Sequence, residues 1–125
     1  MMGERTAAQL LEHSNYLVSF TRRGERRGDL RAVDPSTGQI HLVEVKTARR
    51  CKDGKWRFTL FLKNKIDHRH ADTVMLLAVL ESGRVIPFVI PINILQDQRQ
   101  AVITSHPETY TGKLAAYRSQ GVIQL

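Results

Sequence analysis

In the stretch "VEVKTARR", Val43 to Arg50, an acid and a lysine sit two residues apart within an apolar, strand-like run, and two arginines follow. On a strand, Glu44 and Lys46 therefore share one face. A second acid, Asp29, precedes Glu44 with a gap of fourteen residues between them. Asp29 to Asp34 and Gln39 to Thr47 read as two strands joined by "PSTG", whose proline and glycine suit a tight reversal. With that turn closed evenly, Asp34 faces Gln39 and, carried back along both strands, Asp29 faces Glu44. Opposed residues share a face with Cβ atoms ~5 Å apart, and Lys46 projects beside them. A bulge would slip the pairing by one residue. Two carboxylates so close repel each other unless a cation lies between them, and oxygen-only ligation selects a hard ion such as Mg²⁺, with Mn²⁺ as a substitute. Such an ion polarises a phosphoryl oxygen and acidifies a bound water, while a neighbouring lysine orients that water or stabilises charge on phosphorus. The chemistry indicated is metal-dependent phosphodiester hydrolysis.

The elements that must position these groups follow from periodicity. Ala7, Ala8, Leu10 and Leu11 fall at helical spacing in an opening helix from Glu4 to His13, ending near Asn15, and a short strand follows at Tyr16 to Phe20. "DTVMLLAVL" is nearly all apolar and reads as a central buried strand. Ser82-Gly83 turns it into "RVIPFVI", where Pro87 cannot donate to a ladder and argues for a sheet edge. Between the hairpin and that buried strand come a strand at Phe58 to Leu62 and a short, helix-compatible "KNKIDHRH". Tyr110, Leu114 and Tyr117 repeat at i, i+4, i+7 and suggest a last helix packed on the sheet. The chain reads as one α/β (α+β) domain over residues 1–125, with a mixed sheet flanked by helices.

Charge points to the partner. Nineteen Lys+Arg against 12 Asp+Glu leave +7 on 125 residues, and such an excess indicates a polyanion, nucleic acid first and an anionic membrane surface second. Nine of the cations occupy two loops: Arg22, Arg23, Arg26 and Arg27 in "TRRGERRG", and Arg49, Arg50, Lys52, Lys55 and Arg57 in "ARRCKDGKWR". An antiparallel hairpin brings both loops to the same end, flanking the acidic pair, where they would hold a DNA backbone. Trp56 stands among them, with a core anchor preferred over base stacking. Cys51 is the single cysteine, so no internal disulfide is possible and a reducing compartment fits. Neither a signal peptide nor a membrane span is visible, the longest apolar run being Val74 to Leu80, and a cytoplasmic setting is expected, with a phage or mobile element as an open source.

Gly28-Asp29, the gap, and Glu44-Val45-Lys46 together resemble the PD-(D/E)xK nuclease superfamily, in layout most similar to archaeal-type Holliday junction resolvases and related small endonucleases; Gly28 stands where that family has proline. The resemblance implies a restriction-endonuclease-like αβββαβ core. It also implies that Asp29, Glu44 and the Val45 carbonyl hold the metal and that Lys46 is the catalytic lysine. In the resolvases an opening-helix glutamate joins the site, and "GERTAAQLL" offers Glu4 for that role, although an ordinary first-turn acid favouring the helix dipole would look the same.

Plainer readings stand beside these. Glu44 and Lys46 are also what a same-face salt bridge on a solvated strand looks like, and the arginine loops could simply be solvated surface. His68 and His70 form an H-x-H without a third ligand in reach, Cys51 and His41 carry no sign of an oriented pair, and no glycine-rich nucleotide loop is present. The reading as a whole is a Mg²⁺-dependent DNA endonuclease without a small-molecule cofactor or membrane attachment, structure-selective for branched DNA or acting on duplex. A homing or restriction-type enzyme of the same fold and a non-catalytic DNA-binding module are the alternatives. A homodimer follows from the need to cut two strands, formed through the edge at Val85 to Ile92 or the last helix.

Overall fold

The alternating run around Glu44 and the unbroken apolar run from Thr73 become adjacent strands of one sheet. A computed structural model describes residues 2–21, 29–60, 71–95 and 98–125. The chain opens with helix α1 (Met2–His13), then strands β1 (Leu17–Phe20), β2 (Leu30–Val33) and β3 (Ile40–Arg49). These are followed by β4 (Trp56–Thr59), β5 (Thr73–Val79), β6 (Val85–Pro91), the short helix α2 (Ile92–Leu95), β7 (Gln100–Ile103) and a 3₁₀ turn at Ala115–Tyr117. The main sheet has the order β1-β2-β3-β5-β6; β3 and β5 run parallel and the other neighbours antiparallel, while β4 and β7 pair in a separate two-stranded sheet.

Side-chain parity divides the core in two. Val43 and Val45 of β3 pack with Ala7, Ala8 and Leu11 of α1 and with Leu30, Ala32, Met75 and Leu77. The other face of β5 and β6, with Ala48, is covered by Trp56, Phe58, Leu95, Ala101 and Ile103. Asn15 ends α1 in the left-handed conformation (φ 71°), and the N–H groups of Ser14 and Tyr16 both return to the Leu11 carbonyl. Gly3 allows the first turn of α1 to approach β3, since a methyl group there would lie 2.3 Å from Thr47 Oγ1.

The hairpin closes in the expected register: Leu30 pairs with Val43, Arg31 with Leu42, Ala32 with His41 and Val33 with Ile40. At the turn the Asp34 N–H donates to Gln39 O (2.9 Å), the Gly38 N–H donates to Asp34 O (2.7 Å), and Gly38 takes the positive φ of 75° that the reversal requires. Ser36 donates its hydroxyl (2.7 Å) and N–H (2.9 Å) to Asp34 Oδ1. These bonds, the hydroxyl's foremost, hold the Asp34 carboxyl below its ordinary range. A depressed folded-state value adds stability above the unfolded pKa of ~3.9, and that stability is lost as pH falls through the folded value. Thermal midpoints between about pH 2.5 and 6 should therefore fall less steeply for Asp34→Asn than for the native chain. Identical pH profiles would show that the turn carboxylate contributes nothing.

Several expectations are corrected. The first four elements follow the order αβββ, but among the described residues the passage from β3 to β5 carries β4 rather than a helix, and "KNKIDHRH" (63–70), with His68 and His70, lies outside them. The strand placed at Phe58 to Leu62 begins earlier, at Trp56, and its described part ends at Thr59. No long last helix forms in 110–117. Tyr110 and Leu114 are both buried, as their spacing suggests, yet Gly112 lets the Tyr110 ring fold over the following backbone, where a methyl group on Gly112 would meet it at 2.5 Å, and the Tyr110 hydroxyl accepts from the Leu114 N–H (3.2 Å). β6 is an edge strand, as Pro87 argued, but Arg118 bridges to Phe88 and the Ser119 N–H donates to Pro87 O (2.9 Å). The proposed dimer edge is thus partly occupied by the chain itself.

Candidate functional site

β3 carries the site because its two edges and two faces do different work. Leu42 turns its N–H and C=O toward β5, where Asp72 Oδ2 accepts the N–H and the Asp72 N–H donates to Leu42 O, both at 2.8 Å. Val43 and Val45, of opposite parity, turn theirs toward β2. The Asp29 N–H donates to Val43 O (2.9 Å), although Val43 already pairs with Leu30. Asp29 and Leu30 thus both fall against Val43, the mark of a β-bulge.

That bulge changes where the Asp29 carboxylate goes. The even turn alone would set Asp29 opposite Glu44; instead Asp29 Oδ2 accepts the N–H of Val45 at 2.8 Å, taking the place a main-chain carbonyl would fill in a continuing ladder. The carboxylate is within hydrogen-bond reach of the Glu44–Val45 peptide, and the Val45 C=O points to the same side as its N–H. Glu44 and Lys46 share the face opposite α1, with Lys46 Nζ 3.3 Å from Glu44 Oε1 and side chains 12% and 29% exposed for Glu44 and Lys46. The structure thereby brings Asp29, Glu44, Val45 and Lys46 to the end of β2. It also forms the salt bridge that the plainer reading anticipated.

The donor chemistry fits a hard divalent cation. One Asp29 oxygen is engaged by the Val45 N–H; its second oxygen, the Glu44 carboxylate beside Lys46 and the Val45 carbonyl would make up an all-oxygen set suited to a hard cation. Among the described residues no group of three or more His, Cys, Asp or Glu is placed to hold a metal. Glu4 lies in the first turn of α1, half-buried and next to Gly3, on the face of β3 turned away from Glu44 and Lys46.

The basic residues divide. Arg22, Arg23, Arg26 and Arg27 lie outside the described residues. Arg49, Arg50, Cys51 and Lys52 line a shallow groove of ≈ 340 Å³ with Val79, Leu80 and Glu81, beyond the end of β3. Arg50 is paired to Glu81 (2.8 Å), and Arg57, on β4 rather than in a loop, is paired to Asp53. Through that hydrogen bond Asp53 is held below its ordinary range and Arg57 above its own. Trp56 is buried and donates its indole N–H to Val79 O (3.0 Å), so it anchors the core and offers no ring for stacking on a base. His41 is buried edge-on to Tyr16 near the opposite end of β3 from Cys51, which removes a Cys-His pair. Asp72, which parity in "DTVMLLAV" could have flagged, is a structural counterpart of Asp29: each aspartate accepts one main-chain N–H of β3.

No family model matches the chain, and no curated protein matches its sequence. Among solved structures, a bacterial homing endonuclease, I-Ssp6803I, superposes with a TM-score of 0.68 at 16% identity, covering 94% of this chain and 81% of that one. The likeness is one of fold. It spans nearly the whole chain. No helix among the described residues is long and apolar enough to cross a membrane.

Proposed function

We propose that this protein is a metal-dependent DNA endonuclease of the homing type. The observation that carries the reading is the conjunction of Asp29 and Glu44 at the Val45 peptide, with Lys46 alongside, in a fold shared with a homing endonuclease. Asp29, Glu44 and the Val45 carbonyl would hold Mg²⁺, or Mn²⁺ in its place, which when bound would supply Lewis-acid polarisation and an acidified water. Lys46, kept in place by Glu44, orients the attacking water and offsets charge gathering on phosphorus. Arg49 at the end of β3 and Lys52 and Lys55 beyond it hold backbone phosphates, contacts that position a duplex without reading its sequence. Cutting both strands calls for two such sites. A second copy is expected at the β1 side of the sheet, where Leu17, Phe20 and Ile40 are exposed, and not at the β6 edge.

The test compares Mg²⁺-dependent cleavage of labelled linear duplex with that of a labelled four-way junction. Cleavage of duplex, confined to particular sequences in a substrate library, is the expected result. Cutting confined to the junction would replace the homing reading with a resolvase one. Intact DNA under every metal condition, with binding retained, would leave a non-catalytic DNA-binding module.

A further inference from the structure

We infer that Arg31, on β2, is a phosphate-binding residue that extends the DNA footprint past the site toward the middle of the hairpin. The inference rests on the endonuclease reading for its geometry, but it concerns a residue of β2 that belongs to neither basic loop.

Three observations carry it. First, Arg31 pairs directly with Leu42, and Leu30 and Ala32 on either side of it point into the α1 core, so Arg31 projects on the same face as Glu44 and Lys46. It is a diagonal cross-strand neighbour of Glu44, a relation that puts Cβ atoms ~7–8 Å apart and within reach of a long side chain. Second, the Arg31 side chain is exposed and makes no hydrogen bond or ion pair among the described residues, whereas Arg50, Arg57 and Arg84 each hold an acid and Arg118 holds the Pro107 and Tyr110 carbonyls. Third, the neighbouring acid already has its cation: Glu44 is paired to Lys46. An exposed guanidinium beside a neutralised carboxylate is available for an anion from solution, and its planar fork suits phosphate oxygens.

The spacing fits a phosphate close to the one being cut. Each DNA strand carries one phosphate per ~3.4 Å of axis, so a step of ~7 Å from Glu44 falls one or two phosphates along the backbone. Arg49, the last residue of β3, is seven residues from Leu42, or ~23 Å at ~3.3 Å per residue, and by parity projects on the α1 face, so it does not share this footprint. A contact at Arg31 would hold the strand from the middle of the hairpin, on the face that carries the Glu44 carboxylate. Beyond Arg31 the same face becomes apolar at Leu17, Val33 and Ile40, which form one cross-strand row and mark the limit of the footprint.

The test measures binding of a fluorescent linear duplex to the full chain in Ca²⁺, over ~50 to ~200 mM salt. One lost phosphate contact lowers the slope of log affinity against log salt by about 0.9, which at ~0.15 M corresponds to roughly fivefold weaker binding. Arg31→Ala should show both effects with an unchanged thermal midpoint, and Arg31→Lys, which keeps the charge, should retain the slope. If native protein cuts DNA while Arg31→Ala keeps the native affinity and slope, the Arg31 contact is refuted and the endonuclease reading survives. If native protein cuts nothing with any divalent metal but Arg31→Ala still loses the slope, the contact stands and the enzyme reading fails. Absence of DNA binding by the native chain overturns both.

Discussion

Glu44→Gln and Asp29→Asn should each lower single-turnover DNA cleavage by at least ~10³-fold while the protein stays folded. Each charge withdrawn from a metal-binding set removes several kcal/mol of transition-state stabilisation, and ~4 kcal/mol is already a thousandfold. The choice of amide over alanine follows from the geometry. Asp29 Oδ2 holds the Val45 N–H at 2.8 Å, a bond an asparagine carbonyl can still accept. Alanine would leave that N–H without its partner, at a cost of ~1–3 kcal/mol that would confuse lost activity with lost fold. Glutamine likewise keeps the volume of Glu44, whose side chain is only 12% exposed, and leaves Lys46 a neutral acceptor. Cleavage of labelled duplex, circular dichroism and duplex binding in Ca²⁺ form the set of measurements. Normal cutting by either variant would remove that carboxylate from the mechanism. Unfolding of both amide variants would show the acids to be structural.

How much of this was legible in the sequence depends on which interaction decides each feature. The hairpin register was legible because local chemistry sets it: "PSTG" suits an even closure, and of that closure and the one-residue slip only the first keeps Leu30, Ala32, Val43 and Val45 on one buried face. The buried character of β5 and the edge position of β6 were legible for the same reason, through an unbroken apolar run and Pro87. The bulge at Asp29 was not, since it arises where β2 ends and depends on competition for the Val43 carbonyl, which no sequence spacing reveals. Nor was the C-terminal segment: the spacing of Tyr110 and Leu114 implies burial, but Gly112 allows Tyr110 to fold over its own chain, so both are buried without a helix between them. Charge was the least legible property. Arg50 and Arg57 look like equal members of a basic cluster until Glu81 and Asp53 are found beside them, and Arg31, isolated in sequence, lies on the same face as Glu44.

Lys46→Met should slow cleavage by ~10² to 10⁴-fold, the usual worth of a positioned proton-handling group, and yet tighten metal binding. The two effects separate because Lys46 plays opposing parts toward a cation and toward the phosphate. Its Nζ lies 3.3 Å from Glu44 Oε1, so the ammonium and a divalent ion compete for one carboxylate. A pair of unit charges 4 Å apart is worth ~4 kcal/mol at an effective dielectric of 20. With Lys46 29% exposed, screening reduces the repulsion to ~1 kcal/mol, or roughly fivefold in metal affinity. Methionine preserves most of the stem that packs on the strand while deleting the charge and the donors. Calorimetric titration with Mn²⁺ reads the first effect and single-turnover cleavage at saturating metal reads the second. A lysine that merely neutralises Glu44 would, once replaced, leave cutting unchanged or faster at saturating metal. A variant that binds metal more tightly and cuts more slowly is accounted for only if Lys46 acts on the water or the phosphate, so the opposed movement of the two measurements separates a catalytic lysine from a surface salt bridge.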